Sequence, residues 1–214
     1  MELKGKKVLA LGDSITYGAG TSDPDTCGYL SVFAKLSGCV CKNYGVCASR
    51  IAHQSKSLYE DRDFIIRAAE MDEDADIIVV FGGTNDFGHG DASFGSFDDR
   101  DPYTFYGACH TLFSYLIDHY PTATIIVMTP LHRLSEDATV NEIGIPCHPL
   151  IDYVKAEREV AEYYSLPVLD LFATIGLQPK IPVIREKFMP DGLHPNDAGA
   201  ARIAERLYGF LKSL

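Results

Sequence analysis

The sequence lacks several features that would each have implied a function. No uninterrupted apolar stretch approaches the roughly 20 residues that a membrane helix needs, so no membrane-spanning segment is expected. The first residues, Met1-Glu2-Leu3-Lys4-Gly5-Lys6-Lys7, have no apolar core ahead of a cleavage site, and a cytoplasmic protein is the expectation. Positive charge is in deficit: 19 Lys and Arg stand against 30 Asp and Glu, a formal net charge of −11. That balance repels a phosphate backbone and an acidic membrane surface, so neither nucleic acid nor membrane is an expected partner. There is no Gly-x-x-x-x-Gly-Lys phosphate loop and no dinucleotide glycine fingerprint, which argues against a nucleotide-binding protein. Among six cysteines no Cys-x-x-Cys pair occurs, so no metal site is expected. Without an export signal these cysteines read as free buried thiols rather than bridges. No repeat, low-complexity tract or linker divides the chain, and residues 1–214 are expected to form a single domain.

What is present is an alternation of short apolar runs and helical stretches. Lys6-Lys7-Val8-Leu9-Ala10-Leu11, Cys39-Val40-Cys41-Lys42-Asn43-Tyr44, Asp76 to Phe81, Thr124 to Met128 and Pro167 to Leu171 read as five strands. Helices are expected over Tyr29–Leu36, Ser55–Met71, Thr104–His119, Leu150–Tyr164 and from Pro195 or Asn196 to Leu211. Residues Phe87–Asp101 and Leu131–Pro149 read as long irregular segments, and such segments usually carry function. Strand alternating with helix predicts a parallel sheet with right-handed crossovers. The expected fold is α/β: a flavodoxin-like three-layer αβα sandwich on a five-stranded parallel sheet of order 2-1-3-4-5.

Candidate chemistry lies at the strand ends. Gly12-Asp13-Ser14 closes the first strand, where open α/β sheets bind ligands. A serine hydroxyl is a poor nucleophile until a base takes its proton. Such a base stands in Met189-Pro190-Asp191-Gly192-Leu193-His194-Pro195, a turn able to aim a carboxylate and an imidazole the same way. Strand three ends in Gly82-Gly83-Thr84-Asn85-Asp86, and an Asn amide can donate to an oxyanion. Strand two ends in Asn43-Tyr44-Gly45, which offers a further backbone N–H. Asp13 and Asp86 read as residues that hold turns.

These four blocks together resemble the SGNH hydrolases of the GDSL esterase/lipase family. Gly12-Asp13-Ser14 matches the first block, Gly45 the second, Gly83-Thr84-Asn85-Asp86 the third and Asp191-Gly192-Leu193-His194 the last. The resemblance implies Ser14 as nucleophile, His194 as general base and Asp191 as its orienting acid. It implies an oxyanion hole from the Ser14 N–H, the Gly45 N–H and the Asn85 side chain. The second block departs from the family pattern: Gly45-Val46-Cys47-Ala48-Ser49 lacks the later small hydrophilic residue and glycine. The implied activity is hydrolysis of acyl esters through an acyl-enzyme, with no cofactor.

Substrate-binding residues are expected from the irregular segments: Phe87, His89, Phe94 and Phe97 from the first, His132, Arg133 and His148 from the second. Aromatics mixed with acids suit a sugar platform, so a short-chain or acetyl ester, carried on a carbohydrate, is the favoured substrate. An acyltransferase, a lysophospholipase or a thioesterase would use the same residues, and a non-catalytic carbohydrate-binding module is the alternative of another class. The partner is a small-molecule ester; a homo-oligomer is compatible with the sequence.

Overall fold

A computed structural model describes residues 1–55 and 63–214. The elements run β1 (Lys7–Gly12), α1 (Ser14–Tyr17), α2 (Pro24–Cys27), α3 (Tyr29–Ser37), β2 (Val40–Gly45), α4 (Phe64–Ala68), β3 (Ile77–Phe81), α5 (Thr84–His89), α6 (Phe105–His119), β4 (Thr124–Met128), α7 (Leu150–Tyr163), β5 (Val168–Leu169), α8 (Leu171–Thr174), α9 (Pro182–Phe188) and α10 (Asp197–Ser213). The five strands form one all-parallel sheet of order β2-β1-β3-β4-β5. The chain reverses its direction of travel across the sheet at β1, which pairs with β2 on one side and β3 on the other. Gly12 is in register with Gly45 and with Phe81, so the three strands end together.

Strand periodicity explains the layers. Leu9, Leu11, Ile78, Val80 and Val127 face one side, where Phe64 of α4, Leu112 and Leu116 of α6 and Val154 of α7 cover them. Val8, Ala10, Val79, Phe81 and Met128 face the other, under Leu30 and Phe33 of α3 and Ile203 and Leu207 of α10. Strands buried on both faces read as unbroken apolar runs, which is why β1, β3 and β4 were legible. Each fully buried Leu, Ile, Val or Phe contributes about 1.5–3 kcal/mol, so these two faces dominate the driving force.

Local chemistry moved several boundaries. The helix expected over Ser55–Met71 is seen as Phe64–Ala68, with Asp63 at its N-cap accepting from the Ile66 N–H at 3.1 Å; positions 56–62 lie outside the described residues. The fifth strand stops at Leu169, because Asp170 accepts from the Ala173 N–H at 3.1 Å and starts α8. Thr84–His89 is helical, so the irregular segment after β3 begins only at Gly90. Five helices were expected and ten are present among the described residues. Four of the extra ones, α1, α2, α5 and α8, have six residues or fewer, too short to show a 3.6-residue period. All six cysteines are free thiols; Cys39 and Cys109 are buried, while Cys47 is exposed. No helix among the described residues is long and apolar enough to cross a membrane.

Candidate active site

Ser14 stands where β1 hands the chain to α1. Asp13 caps α1 by accepting from the Ile15 N–H at 2.9 Å, and Ser14 is the first helical residue. The turn is so tight that a Cβ on Gly12 would sit 2.0 Å from Thr16 Oγ1 and 3.0 Å from the Phe81 carbonyl. Only glycine lets α1 fold back this closely on the strand ends. Ser14 is buried to 8 % exposure, yet its hydroxyl lies on a cavity wall.

His194 reaches that hydroxyl from the far end of the chain. Its Nε2 is 3.0 Å from Ser14 Oγ, and its Nδ1 is 2.7 Å from Asp191 Oδ2. The second Asp191 oxygen accepts from the Leu193 and His194 N–H groups at 2.9 and 2.7 Å, which folds the Asp-x-x-His turn onto itself. A carboxylate only accepts, so the Nδ1 must carry the proton and the Nε2 lone pair faces Ser14. This series of hydroxyl, imidazole and carboxylate can move the serine proton onto the imidazole. Two contacts outside the motif hold the turn. Gly20, at φ +91°, lets the loop after α1 lie against His194, where a Cβ would meet the His194 Cβ at 2.8 Å. The Leu134 N–H donates to the Gly192 carbonyl at 3.0 Å.

Asn85 lines the same cavity, on α5 directly after β3. Its Nδ2 donates to the Ser49 carbonyl at 3.0 Å, which fixes the amide and leaves its second N–H uncommitted. Gly45 is not brought to this wall. Its N–H donates to Asn43 Oδ1 at 2.8 Å, and the residue is packed on α1, where a Cβ would stand 2.2 Å from the Tyr17 nitrogen. The glycine is needed for that close approach, and its N–H is spoken for. Ala48, three residues on, is on the wall instead. It adopts φ +62°, a left-handed conformation costly for a residue with a Cβ. Its N–H forms no hydrogen bond among the described residues, while its carbonyl takes His89 Nε2 at 3.1 Å. The sequence hid this residue because alanine carries no signal for a left-handed turn.

The cavity measures about 270 Å³. Besides Ser14, Asn85 and His194, its wall includes Ala48, Leu193, His89, Arg133 and Glu142. Of the expected substrate contacts, His89 and Arg133 are there. Phe87 is not: it is fully buried in the core and set edge-on against Tyr153. Phe94 packs among Phe105, Tyr106 and Tyr153 and stacks on His148 at 4.2 Å. Phe97 packs edge-on against His110 and Tyr163. His132 bonds Glu136 Oε2 at 2.6 Å and lies against the Phe172 ring, away from the cavity. These rings close their own loops, because a long loop needs buried apolar contacts to stay ordered. A larger cavity, lined by Arg158, Glu162 and Asp170 beside β5, contains none of the motif residues.

The sequence profile of the GDSL-like Lipase/Acylhydrolase family matches residues 10–202, a span that holds Ser14, Asn85, Asp191 and His194. The chain belongs to that family. Among solved structures, a protein from Lactobacillus plantarum is 32 % identical, with a TM-score of 0.84 and 98 % of each chain covered. A protein described as a possible lipase from Chitinophaga pinensis is 23 % identical, TM-score 0.69, covering 97 % of this chain and 98 % of that one. A lipase/acylhydrolase from Enterococcus faecalis is 19 % identical, TM-score 0.64, covering 97 % and 96 %. The last two share the fold. A comparison with curated proteins gave no match.

In this GDSL-family chain two carboxyl groups, Asp13 and Asp86, are buried beneath the site. Burial pushes the Asp13 carboxyl up to about 6, against the lowering effect of the Ile15 N–H, His194 and Arg67. Burial pushes Asp86 up to about 7, although it accepts from the Ile51 and Ala52 N–H groups, each at 2.9 Å. Those bonds pin the segment that follows Ala48. Burial also lowers the pKa of His89. Asp191 differs: burial raises it, but the bonds from His194 and from two backbone N–H groups outweigh that and hold it below its ordinary range. Arg67 ties the ends of β1 and β2 together, donating to the Gly12 carbonyl at 2.9 Å, to the Tyr44 carbonyl and to Ser49 Oγ.

Proposed function

We propose that the chain is a serine esterase for short-chain acyl esters, with Ser14, His194 and Asp191 as its catalytic residues. The observation that carries this reading is the unbroken hydrogen-bonded series from Ser14 Oγ through the His194 ring to Asp191. Ser14 Oγ attacks the ester carbonyl carbon while His194 Nε2 takes its proton. The carbonyl π electrons move to oxygen, and the tetrahedral oxyanion is held by donors fixed in advance. The donors proposed are the Ser14 N–H, which has no acceptor within its helix, the free N–H of Asn85 Nδ2, and the Ala48 N–H in the place expected of Gly45. Collapse breaks the C–O bond, and the alcohol leaves with the proton from His194. Water then attacks the acyl-serine, gives its proton to His194 and releases the acid. Asp191 keeps the ring in the required tautomer and stabilises the imidazolium.

The size of the cavity supports a short acyl group, since drug-sized ligands need about 300–1,000 Å³. Turnover of p-nitrophenyl acetate and p-nitrophenyl octanoate by the native chain and by Ser14→Ala tests the proposal. The acetate is expected to be favoured by about tenfold or more in kcat/KM, and the substitution to lower kcat by about 10⁴-fold or more. Activity that survives in Ser14→Ala would remove Ser14 as the nucleophile.

A further inference from the structure

Resting on that esterase reading, we propose that Arg133 and Glu142 form a hydroxyl-reading wall, and that the substrate is an ester of a polyhydroxylated alcohol of the sugar or polyol class. Arg133 is only 5 % exposed, yet it lines the Ser14 cavity. Its Nη1 donates to the Thr84 carbonyl at 3.2 Å and its Nη2 pairs with Glu142 Oε1, while its Nε is covered and unpartnered. A guanidinium has more N–H donors than these two bonds use. The covered Nε is out of a ligand's reach, but two N–H groups on Nη1 and Nη2 remain beyond these bonds, and a ligand in the cavity offers them acceptors.

Both members of the pair are anchored to the helix that carries Asn85. A Cβ on Gly88 would stand 2.6 Å from Arg133 Nη1, so this glycine makes room for the guanidinium, which also lies 5.3 Å above the Phe87 ring. The Glu142 N–H donates to the Gly88 carbonyl at 2.9 Å, and Asn141 Nδ2 donates to the Gly90 carbonyl at 2.8 Å. The wall is thus set before substrate arrives, which removes an ordering cost from binding.

Charge decides what it reads. The Arg133–Glu142 pair is formally neutral and the whole chain carries −11, so a carboxylate would gain little net attraction. A hydroxyl group is both donor and acceptor. It can accept from a free Arg133 N–H and donate to Glu142, and two neighbouring hydroxyls can do both at once.

The test is the selectivity ratio, kcat/KM for a monoacetylated methyl xyloside divided by that for ethyl acetate, measured on the native chain, Arg133→Met and Glu142→Ala. The native ratio is expected to exceed about ten, and Arg133→Met to lower it by about 10–100-fold, chiefly through KM. Glu142 is 58 % exposed at its side chain, so Glu142→Ala keeps the test available should Arg133→Met fail to fold. It is expected to lower the ratio at least about threefold. A native ratio near one, ratios unchanged in both variants, or a preference for an acetate ester bearing a carboxylate each overturns the hydroxyl-reading wall. If those results accompany ethyl acetate turnover that Ser14→Ala abolishes, the esterase reading still stands. A native chain inert toward all three esters overturns both.

Discussion

Ser14 and His194 are 180 positions apart in sequence, and Ser14 Oγ lies 3.0 Å from His194 Nε2. The contact is made by two turns, one capped by Asp13 and the other by Asp191. Each carboxylate accepts from a backbone N–H two residues further on. The two acids look alike in sequence but differ in surroundings. Asp13 is buried beneath the site, whereas Asp191 is half exposed and bonded to the imidazole.

Asp191→Asn tests the orienting role. An amide can present an N–H where the carboxylate only accepts, so the His194 ring is no longer held with its proton on Nδ1. The expected result is a fall in kcat of about 10²–10⁴-fold for p-nitrophenyl acetate, with a smaller change in KM. Steady-state kinetics, with circular dichroism to check folding, decide it; a change confined to KM contradicts the role.

Two substitutions separate the proposed oxyanion donors from the backbone strain at Ala48. Asn85→Ala is expected to lower kcat by about 10²–10³-fold. Ala48→Gly relieves a left-handed backbone, worth roughly 1–2 kcal/mol, against an unfolded-state entropy cost of about 0.4–1 kcal/mol. The net expectation is a modest rise in unfolding midpoint, read by urea denaturation. A clear loss of stability in Ala48→Gly would contradict the left-handed geometry.

Asp86 makes a pH prediction. Burial raises its pKa from an ordinary 3.8 to about 7. Between those values the native state keeps a proton that the unfolded chain has released. Native protein then binds more protons, so this group's contribution is full below the ordinary range and is lost as pH rises toward about 7. Asp13, raised to about 6, acts in the same direction. Urea midpoints at pH 4.5 and 7.5 are expected to fall less in Asp86→Asn than in the native chain. Equal slopes would show that Asp86 titrates normally.

Much of this was readable without coordinates. Val8 to Leu11, Ile77 to Phe81 and Ile125 to Met128 are apolar on both strand faces, and a strand with that pattern must be covered by helices on both sides. Helix starts were legible to within a residue at Thr104 and Asn196, and the structure makes these two residues the N-caps of α6 and α10. Phe87, Phe94 and His132, expected as substrate contacts, are absent from the cavity wall, because composition shows that a loop holds aromatics and not which way they face. In this fold they face the protein.

Hydrophobic period and turn chemistry are local, so the three-layer sheet and the glycine-marked ends of its first three strands were already written in the residues, while the turn before α10 joined them only through the family resemblance. Only the three-dimensional arrangement decided which N–H groups beside the cavity are left without an acceptor among the described residues. Gly45 and Ala48 lie three residues apart, and one N–H is held by Asn43 while the other is turned free by a left-handed backbone. It also decided that Arg133 and Glu142 share a wall with Ser14, because that juxtaposition depends on the long segment between β4 and α7 folding back over α5.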